Sequence, residues 1–370
     1  MIPLSSPTSV LLAGGGSAGH VSPLLALADA LRRRHPELRV TALGTQGGLE
    51  ARLVPARGYD LRFVPKVPLP RRPSADLLRL PGRLKAAVDA AGAAIDETGA
   101  EVVVGFGGYV SAPAYLAARR RHVPIVVHEQ NARPGLANRL GARWASAVAT
   151  TFSSTSLPHA QRVGMPLRRE VSTLDRAAVR AEALEHFGLE PQWPTVLVTG
   201  GSLGAQRLND AFRARVARLT EGGVQVLHVT GLGKEFVPET TGTGAPYVVL
   251  PYADRMELAY AVADLVVARS GANTVCELTA VGLPAVYVPL PVGNGEQVLN
   301  ATDVVAAGGG LLVDDAALTP DWIDTVLLPL VTDAERVARM AAAARTLGEP
   351  TADETLADLV DRAAEGRNRS

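Results

Sequence analysis

The chain has 370 residues, and its composition is 47% hydrophobic but only 4% aromatic, so the core must be built mainly from Ala, Val and Leu. This length is typical of two domains, and the composition excludes a disordered, collagen-like or coiled-coil protein. The net charge of zero hides an asymmetry: residues 1–165 carry 20 Lys and Arg against 10 Asp and Glu, which predicts an anionic partner for this half. The single cysteine fits a reducing cytoplasm, and no stretch approaches the ~20 apolar residues of a membrane-spanning helix.

Short apolar runs alternate with amphipathic segments along the chain, a pattern typical of strand–helix units. In the first half, strands are predicted at residues 9–13, 39–43, 102–105 and 124–128, and a helix over 23–34. The pattern then restarts, with strands predicted at 195–199, 224–229, 247–250, 265–268 and 285–288, a helix over 204–219 and an amphipathic helical tail over 320–364. This alternation predicts an α/β protein with two doubly wound parallel sheets, and the restart places the domain boundary at 165/166.

The first strand runs into a glycine-rich loop, in which Gly14, Gly16 and Gly19 satisfy the spacing G-x-G-x-x-G. Such a loop lets backbone N–H groups approach a phosphate at a helix N-terminus. A dinucleotide site also needs a carboxylate at the end of the second strand, where residues 42–45 read Ala-Leu-Gly-Thr. This absence disfavours NAD and leaves phosphate binding or a tight turn. His20, where the helix begins, is a candidate general base or a capping residue.

Two further polar strand ends follow in the first half. Residues 105–111 read Gly-Phe-Gly-Gly-Tyr-Val-Ser and repeat the order strand, glycines, helix, while residues 128–131 read His-Glu-Gln-Asn after a strand. Ligands of open α/β sheets bind beyond the carboxyl ends of the strands. We therefore expect these strand ends to converge on one crevice.

The second half has its own glycine-containing loops that open helices. Residues 200–205 read Gly-Gly-Ser-Leu-Gly-Ala, and residues 269–277 read Arg-Ser-Gly-Ala-Asn-Thr-Val-Cys-Glu. The amides of 272–274 are expected to hold a pyrophosphate, because helix N-termini attract anions. Glu277, one turn into the helix, is expected to take both hydroxyls of a ribose, the alternative being a solvated glutamate on an exposed face.

These motifs resemble the MurG family, the UDP-N-acetylglucosamine:lipid-I N-acetylglucosaminyltransferases, in order and spacing over nearly the whole chain. The most specific pieces are residues 269–284, 128–131 and 107–111. The resemblance implies the GT-B glycosyltransferase fold, with two Rossmann-like domains facing a cleft. Residues 1–165 would form the acceptor and membrane-side domain, residues 166–344 would bind the UDP-sugar, and a C-terminal helix over 345–370 would pack back on the first domain.

The resemblance also implies the activity. An inverting transferase of this family moves N-acetylglucosamine from UDP to the C4 hydroxyl of the muramoyl sugar of lipid I, giving lipid II for peptidoglycan synthesis, cell shape and cell division. It needs no metal ion and no cofactor. The implied partners are UDP-N-acetylglucosamine, lipid I, other cell-wall synthesis proteins and the anionic cytoplasmic face of the cell membrane, where the protein would be peripheral; no nucleic acid is implied.

The family's motifs carry site residues over to this chain position by position. His20 is the implied base. The implied donor-binding residues are Ser17, Ala18, Gly19, Asn131, Arg168, Ser202, Ala253, Ala272, Asn273, Thr274, Val275, Cys276, Glu277 and Gln297, and the implied acceptor and phosphate loops contain Gly15, Gly16, Gly107, Gly108, Tyr109 and Glu129.

Three rival interpretations stay open at this point. A UDP-N-acetylglucosamine 2-epimerase shares the fold and the donor but does not need a membrane surface. A dehydrogenase is disfavoured by the missing acid after the second strand. A non-catalytic lipid-binding protein would bind membranes but release no UDP.

The segment 66–85 is a candidate membrane contact, because it mixes leucines with six basic residues and one acidic residue. Leu77, Leu78, Leu80 and Leu84 are expected to enter the headgroup boundary. The alternative is a helix with its leucines in the core and its basic face solvated. Pro81-Gly82 predicts an interruption of any single long helix here.

Replacing Arg71, Arg72, Arg79 and Arg83 with Glu is expected to weaken binding to anionic vesicles, because each basic residue near such a surface contributes about 1 kcal/mol. Co-sedimentation with anionic and neutral vesicles at low and high salt measures this. Equal binding to neutral vesicles, or binding that the four changes leave intact, would place the membrane contact elsewhere.

Overall fold

A computed structural model describes residues 7–67, 76–201, 205–240, 242, 244–292 and 294–368, and the side chains of 76–79 and 368 lie outside this description. The chain divides into two compact units, one of residues 1–168 with 351–370 and one of residues 169–350. The functional roles assigned to the two domains from the sequence stay a prediction.

The described part of the first unit contains one seven-stranded parallel sheet with helices on both faces. Its strands are β1 Ser9–Ala13, β2 Arg39–Gly44, β3 Asp60–Phe63, β4 Val102–Gly105, β5 Ile125–Glu129, β6 Ala147–Thr150 and β7 Ala160–Arg162. Its helices are α1 Ala18–Arg34, α2 Glu50–Ala56, α3 Asp76–Thr98, α4 Gly108–Arg120 and α5 Leu136–Gly141, together with the last helix of the chain, Ala352–Asn368. The strand order is β3-β2-β1-β4-β5-β6-β7.

The described part of the second unit contains a six-stranded parallel sheet. Its strands are β8 Thr195–Thr199, β9 Gln225–Val229, β10 Tyr247–Leu250, β11 Leu265–Ala268, β12 Ala285–Tyr287 and β13 Gly310–Leu312. The helices of this unit are α6 Arg169–Ser172, α7 Arg176–Phe187, α8 Gln206–Arg213, α9 Val216–Glu221, α10 Met256–Val262, α11 Ala272–Ala280, α12 Glu296–Ala306, α13 Pro320–Trp322, α14 Leu328–Thr332 and α15 Ala334–Arg345. A 3₁₀ turn lies at Asp315–Ala317, and a π-helical turn lies at Ile323–Leu327. The strand order is β10-β9-β8-β11-β12-β13. The last helix of the chain, Ala352–Asn368, is α16.

Burial on both faces explains why these strands are continuous apolar runs. In β1, Val10 and Leu12 pack into one apolar cluster, and Leu11 and Ala13 pack into the cluster on the opposite face. A parallel sheet covered by helices on both faces requires this pattern. The predicted α/β class with two doubly wound parallel sheets is confirmed.

The strand order reverses once in each sheet, and this positions the ligand-binding loops. In the first sheet the chain proceeds from β1 outward to β3 and then returns to β4 on the other side of β1. In the second sheet the same reversal occurs between β8 and β11. The crevice beyond the carboxyl ends of the strands at such a point is where open α/β sheets bind ligands. The glycine-containing loops after these four strands are therefore the candidate site elements.

The chain's last helix completes the first unit. Leu356 and Val360 of α16 are fully buried in the apolar cluster that also contains α1. At the rim, Arg34 of α1 pairs with Glu354 at 2.6 Å and with Asp358 at 2.5 Å. Because partly exposed ion pairs contribute little, the apolar contacts account for most of the attachment.

Three helical predictions need correction. The segment 204–219 forms two helices, α8 and α9, because the backbone leaves the helical conformation at Arg215, whose guanidinium bonds Asp324 at 2.9 Å. The tail 320–364 is helical but broken, and Asp333 starts α15 by accepting a hydrogen bond from the Arg336 N–H. The interruption predicted at Pro81-Gly82 is wrong, because α3 runs from Asp76 to Thr98.

The two interpretations of the segment 66–85 are only partly resolved by α3. Residues 68–75 and the side chains of 76–79, including Leu77, Leu78 and Arg79, lie outside the described residues. Leu84 packs against the apolar cluster of the first unit, as the core-facing alternative predicts. None of the helices in the described part of the chain combines the length and apolar character of a membrane-spanning segment.

Leu356→Ala is expected to destabilise the first unit by about 2–5 kcal/mol, since it removes a fully buried side chain and leaves a cavity. Urea unfolding gives the free energy, and hydrogen exchange in β1 and β4 compared with β8 localises the effect. Leu299→Ala, at a leucine that is 43% exposed, is the control. An L356A protein as stable as the control would show that α16 is dispensable for this core.

Candidate active site

Three of the predicted glycine residues, Gly15, Gly16 and Gly108, line one cavity at the reversal point of the first sheet. The cavity has a volume of about 320 Å³. It is lined by Gly15, Gly16, Ser17, His20, Thr45, Gly47, Gly48, Lys66, Gly108, Tyr109 and Val110. The cavity thus contains most of the residues predicted for the acceptor and phosphate loops. It also contains His20 and, from the predicted donor set, Ser17.

A larger groove of about 670 Å³ lies at the amino ends of β5, β6 and β7. Arg119, Arg362 and Arg367 line it, together with Trp144. We assign the chemistry to the smaller cavity, because ligands of parallel α/β sheets bind at the carboxyl ends of the strands.

The first glycine loop is held by a buried carboxylate that the sequence analysis missed. Glu50 is fully buried, and its carboxylate accepts hydrogen bonds from the Gly16 N–H at 2.9 Å, the Thr45 N–H at 2.8 Å and the Thr45 hydroxyl at 2.9 Å. Burial alone would raise the pKa of Glu50, but these donors lower it below its usual range. A Cβ on Gly15 would lie 2.5 Å from a carboxylate oxygen, so this position has room only for glycine.

Glu50 also corrects the expectation that no carboxylate lies at the end of the second strand. The chain supplies one there from the first residue of α2, five positions beyond Thr45. Because its oxygens bind backbone and hydroxyl donors of the protein, it positions the loop rather than holding a ribose. The glutamate after Gly47-Gly48 was the available signal, but only the tertiary contact reveals its role.

The second glycine loop is fastened to the first strand by Ser111. Its buried hydroxyl accepts a hydrogen bond from the Gly107 N–H at 2.9 Å, and its single hydrogen faces the carbonyls of Ala13 and Gly107, both at 2.8 Å. Gly108 has a φ of +76°, and a Cβ there would lie 2.7 Å from the carbonyl oxygen of Gly15. The two glycine loops therefore approach each other more closely than side chains would permit.

The third strand end is organised by Glu129, which is 2% exposed. Its carboxylate accepts hydrogen bonds from the N–H groups of Asn131 and Gly135, both at 2.9 Å, and from the Asn138 side chain at 2.9 Å. The structure thus places Glu129 inside the loop as an internal anchor. Its predicted role in the acceptor loops stays a prediction.

His20 is linked to the third strand end through two side chains. Its Nδ1 lies 3.0 Å from the Gln130 Oε1, and the Gln130 Nε2 lies 3.0 Å from the His128 Nδ1. The His128 Nε2 lies 2.9 Å from the Gly164 carbonyl oxygen. His128 is fully buried, and burial lowers its pKa to about 4, although the bond to Gly164 opposes this shift. His128 is therefore neutral at physiological pH.

Lys66 is a further member of the cavity that the sequence analysis assigned to the membrane segment. Its exposed side chain lines the same space as Gly15, Gly16 and His20. An ammonium group beside a loop of backbone N–H donors adds the positive charge that an anionic group requires. No local pattern distinguishes this lysine from the basic residues that follow it.

In the second unit, the loop after β11 opens α11 as predicted. The N-cap is Gly271, which has no side chain to satisfy the first amides of the helix. Arg269 is 12% exposed and donates to the carbonyls of Val288 at 3.1 Å and Pro289 at 3.0 Å. It also pairs with Asp315 at 2.6 Å. Arg269 thus fixes the ends of β11 and β12 relative to each other.

Glu277 is half-buried, and a tyrosine orients its carboxylate. The hydroxyl of Tyr260, a residue that is 2% exposed, donates to the Glu277 Oε2 at 2.6 Å. The sequence analysis missed Tyr260, because it lies on α10 and meets α11 only in the folded unit. Gln297 also contacts backbone, and its Oε1 accepts from the Leu290 N–H at 2.9 Å.

The other predicted site residues are distributed as follows. Ser17 is the exposed N-cap of α1, and Ala18 and Gly19 form its half-buried first turn. Arg168 ends the first unit's continuous segment. Ala253, Ala272 and Val275 are buried, while Asn131, Asn273, Thr274 and Cys276 are half-buried. Ser202 lies outside the described residues.

Two family models match the chain. The glycosyltransferase family 28 N-terminal domain matches residues 10–150, and the glycosyltransferase family 28 C-terminal domain matches residues 195–360. The UDP-N-acetylglucosamine–N-acetylmuramyl-(pentapeptide) pyrophosphoryl-undecaprenol N-acetylglucosamine transferase of Nocardioides sp. is 60% identical, over 95% of this chain and 97% of the relative. The Streptomyces coelicolor protein of the same name is 54% identical, over 97% of this chain and 99% of the relative.

Solved structures give the same picture of the fold. The crystal structure of Acinetobacter baumannii MurG is similar with a TM-score of 0.77 and 27% identity, over 96% of this chain and 100% of that chain. The UDP-GlcNAc 2-epimerase of Neisseria meningitidis has a TM-score of 0.66 and 12% identity, over 95% of this chain and 99% of that chain. At that identity the epimerase shares the fold alone.

Glu50→Gln is expected to destabilise the first unit by about 1–3 kcal/mol at pH 6, because the amide group brings N–H donors against donors. The stability that the protein loses in acid should also be smaller in E50Q than in the wild type. The lowered pKa of Glu50 in the folded state gives stability that is present above the unfolded pKa of about 4.3 and lost as pH falls through the folded pKa.

Urea unfolding at pH 6 and at pH 3 measures both effects. Glu97→Gln is the control, because the Glu97 side chain is 62% exposed in its pair with Arg62. If E50Q lost as much stability between pH 6 and pH 3 as the wild type does, this role for Glu50 would be contradicted.

Proposed function

The chain belongs to glycosyltransferase family 28 and, within it, to the MurG family, and on that premise we propose that it transfers N-acetylglucosamine from UDP to lipid I, giving lipid II. The observation that carries the proposal is the identity of 60% and 54% to two transferases over nearly their whole length. The acceptor is the undecaprenyl-pyrophosphoryl muramoyl-pentapeptide, and the product serves peptidoglycan synthesis.

We assign the acceptor's diphosphate to the cavity of the first unit. Gly15, Gly16 and Gly108 expose backbone there, and Lys66 supplies a positive charge. The carboxylates of Glu50 and Glu129 do not oppose an anion, because internal hydrogen-bond donors already compensate their charge. Tyr109, which is 47% exposed at the cavity, offers a flat surface to the muramoyl sugar.

We assign the UDP to the loops after β8 and β11 in the second unit. The first turn of α11 receives the diphosphate, because the N–H groups at a helix N-terminus and the helix dipole favour negative charge. Glu277, oriented by Tyr260, accepts the ribose hydroxyls. The other carried-over donor contacts, including Arg168, Ser202, Ala253 and Gln297, belong to the same proposal.

The reaction is a direct displacement at the anomeric carbon. His20 removes the proton from the acceptor's C4 hydroxyl as the hydroxyl oxygen attacks, and UDP departs with the electron pair of the broken bond. Inversion follows from a single attack opposite the leaving group. The amides of α11 and Arg168 stabilise the negative charge that gathers on the departing diphosphate.

One experiment distinguishes the proposed transferase activity from two rival functions. Purified protein is incubated with UDP-N-acetylglucosamine, with and without lipid I, and UDP release is followed. The proposal requires release that depends on lipid I. Conversion of the free UDP-sugar without lipid I would identify an epimerase, and vesicle binding without UDP release would identify a lipid-binding protein.

The membrane partner is part of the same proposal. Lipid I carries a polyprenyl chain that stays in the bilayer, so the protein must work at the surface of the membrane. The excess of 10 positive charges in residues 1–165 suits the anionic cytoplasmic face. Other cell-wall synthesis proteins would meet it there.

Glu277→Ala is expected to weaken UDP binding by about 1.5–3 kcal/mol, roughly 10- to 150-fold, since it removes a charged acceptor. Tyr260→Phe keeps the carboxylate but loses its orienting bond, and the loss should be about 0.5–1.5 kcal/mol. Calorimetry with UDP measures both, and Glu239→Ala, at an exposed glutamate, is the control. Unchanged UDP affinity in E277A would remove Glu277 from the donor site.

His20→Ala is expected to lower kcat by about 10²–10⁴-fold, the usual contribution of a general base. The affinity for UDP should stay near the wild-type value, because His20 is assigned to the acceptor hydroxyl and the UDP to loops of the second unit. Steady-state kinetics with saturating donor and lipid I give kcat, and calorimetry gives the affinity. Wild-type turnover in H20A would reject His20 as the base.

A further inference from the structure

We propose that Gln130 and His128 are positioning residues that fix the tautomer of His20, with the hydrogen on Nδ1 and the lone pair on Nε2. The catalytic consequence rests on the proposed function, in which His20 is the base. The tautomer itself is a property of the free protein. The side chains of His128, Gln130 and His20 form a hydrogen-bonded row, of which His128 is the buried end.

His128 sets the direction of the row. Its Nε2 lies 2.9 Å from the Gly164 carbonyl oxygen, and a carbonyl only accepts hydrogen bonds, so this nitrogen carries the hydrogen. The fully buried ring is neutral, because burial lowers its pKa to about 4. A neutral imidazole has one hydrogen, so the His128 Nδ1 has a lone pair and must accept.

Gln130 is oriented by His128 and in turn determines the tautomer of His20. Its Nε2 lies 3.0 Å from the His128 Nδ1 and 2.9 Å from the His128 carbonyl oxygen, so its two hydrogens meet two acceptors. A rotated amide would place the Gln130 oxygen against both acceptors and leave a buried conflict, which costs on the order of 1–3 kcal/mol. The amide oxygen is therefore the atom that faces His20.

His20 must donate to that oxygen. The Gln130 Oε1 only accepts, and it lies 3.0 Å from the His20 Nδ1, so Nδ1 carries the hydrogen. In the neutral ring the lone pair is then on Nε2. The carbon atoms on either side of Nε2 lie near Gly107 and Gly108, where a Cβ would come within 3.3 Å and 3.4 Å of them. A side chain at either glycine would therefore press against this edge of the ring.

The side chain that faces His20 is an amide and not a carboxylate, and only an amide can also donate to the two acceptors of His128. Glu129 is adjacent in sequence, but its oxygens bind Asn131, Gly135 and Asn138. An amide oxygen selects the tautomer without placing a negative charge beside the ring. His20 thus presents the lone pair of Nε2 to the acceptor hydroxyl, while the surroundings of the anionic substrate gain no further negative charge.

The tautomer can be read directly by NMR on protein labelled with ¹⁵N-histidine, without substrates. Of the seven histidines, His20 is assigned by the signals missing from the His20→Asn protein. We expect the Nδ1–H form in the wild type and a mixture of both tautomers in Gln130→Met, which fills the same space without the amide. Gln206→Met, at an exposed glutamine, is the control.

His128→Phe tests the contribution of the His128 ring, since Gln130 keeps the backbone carbonyl of residue 128 but loses the Nδ1 acceptor, one of the two that orient its amide. The new ring can still pack against Phe106, whose ring centre lies 5.6 Å from that of His128. We expect mixed tautomers of His20 here too. In both variants kcat should fall several-fold while UDP affinity stays unchanged.

A wild-type His20 in the Nε2–H form, or a Q130M protein that keeps the Nδ1–H form alone, would overturn the proposal. An unchanged tautomer in H128F would remove His128 from it. The spectra are recorded without substrates. They therefore test the tautomer of His20 even if the transferase assay shows no activity.

Discussion

Parallel pairing of buried strands is the constraint on which the site depends. It brings all carboxyl ends of a sheet to one edge, and the reversal of strand order beside β1 opens a space there. The loops that border this space carry exposed backbone groups, so they need internal partners to keep one conformation. Glu50, Ser111 and Glu129 provide them, each as a buried side chain that bonds the backbone of one loop. The glycines bring the backbone close, and these three side chains fix it.

The same arrangement resolves an electrostatic difficulty. An anionic acceptor is assigned to a cavity whose lining residues Gly16 and Thr45 bond the buried Glu50 carboxylate. Hydrogen bonds from Gly16 and Thr45 stabilise the negative charge of Glu50 inside the protein. Lys66 lines the cavity with a positive charge. The net positive charge of residues 1–165 acts over a longer range and adds to the attraction. In the second unit, the anion site that we propose is instead the first turn of α11, which follows Gly271.

The fold could be predicted because its signals are local. Apolar runs such as those of β1 and β4 are buried on both faces, and glycines directly after them mark the turns into helices. The roles of Glu50, Tyr260 and Gln130 could not be predicted, because each depends on a contact between elements that the chain pattern does not relate. The break between α8 and α9 was missed for the same reason, since Arg215 is held by Asp324 from a distant segment.

The place of α16 has a consequence for how the protein is made. Its leucine and valine side chains cover α1, yet they follow the whole second unit in the chain and are synthesised after it. Domains generally fold as the nascent chain emerges, beginning with the amino-terminal one. Here the apolar surface of α1 stays uncovered until the whole second unit has left the ribosome. A ribosome that stalls before Thr351 therefore releases a chain whose second unit is complete in sequence while the first still exposes part of its core, a product suited to recognition by chaperones and proteases.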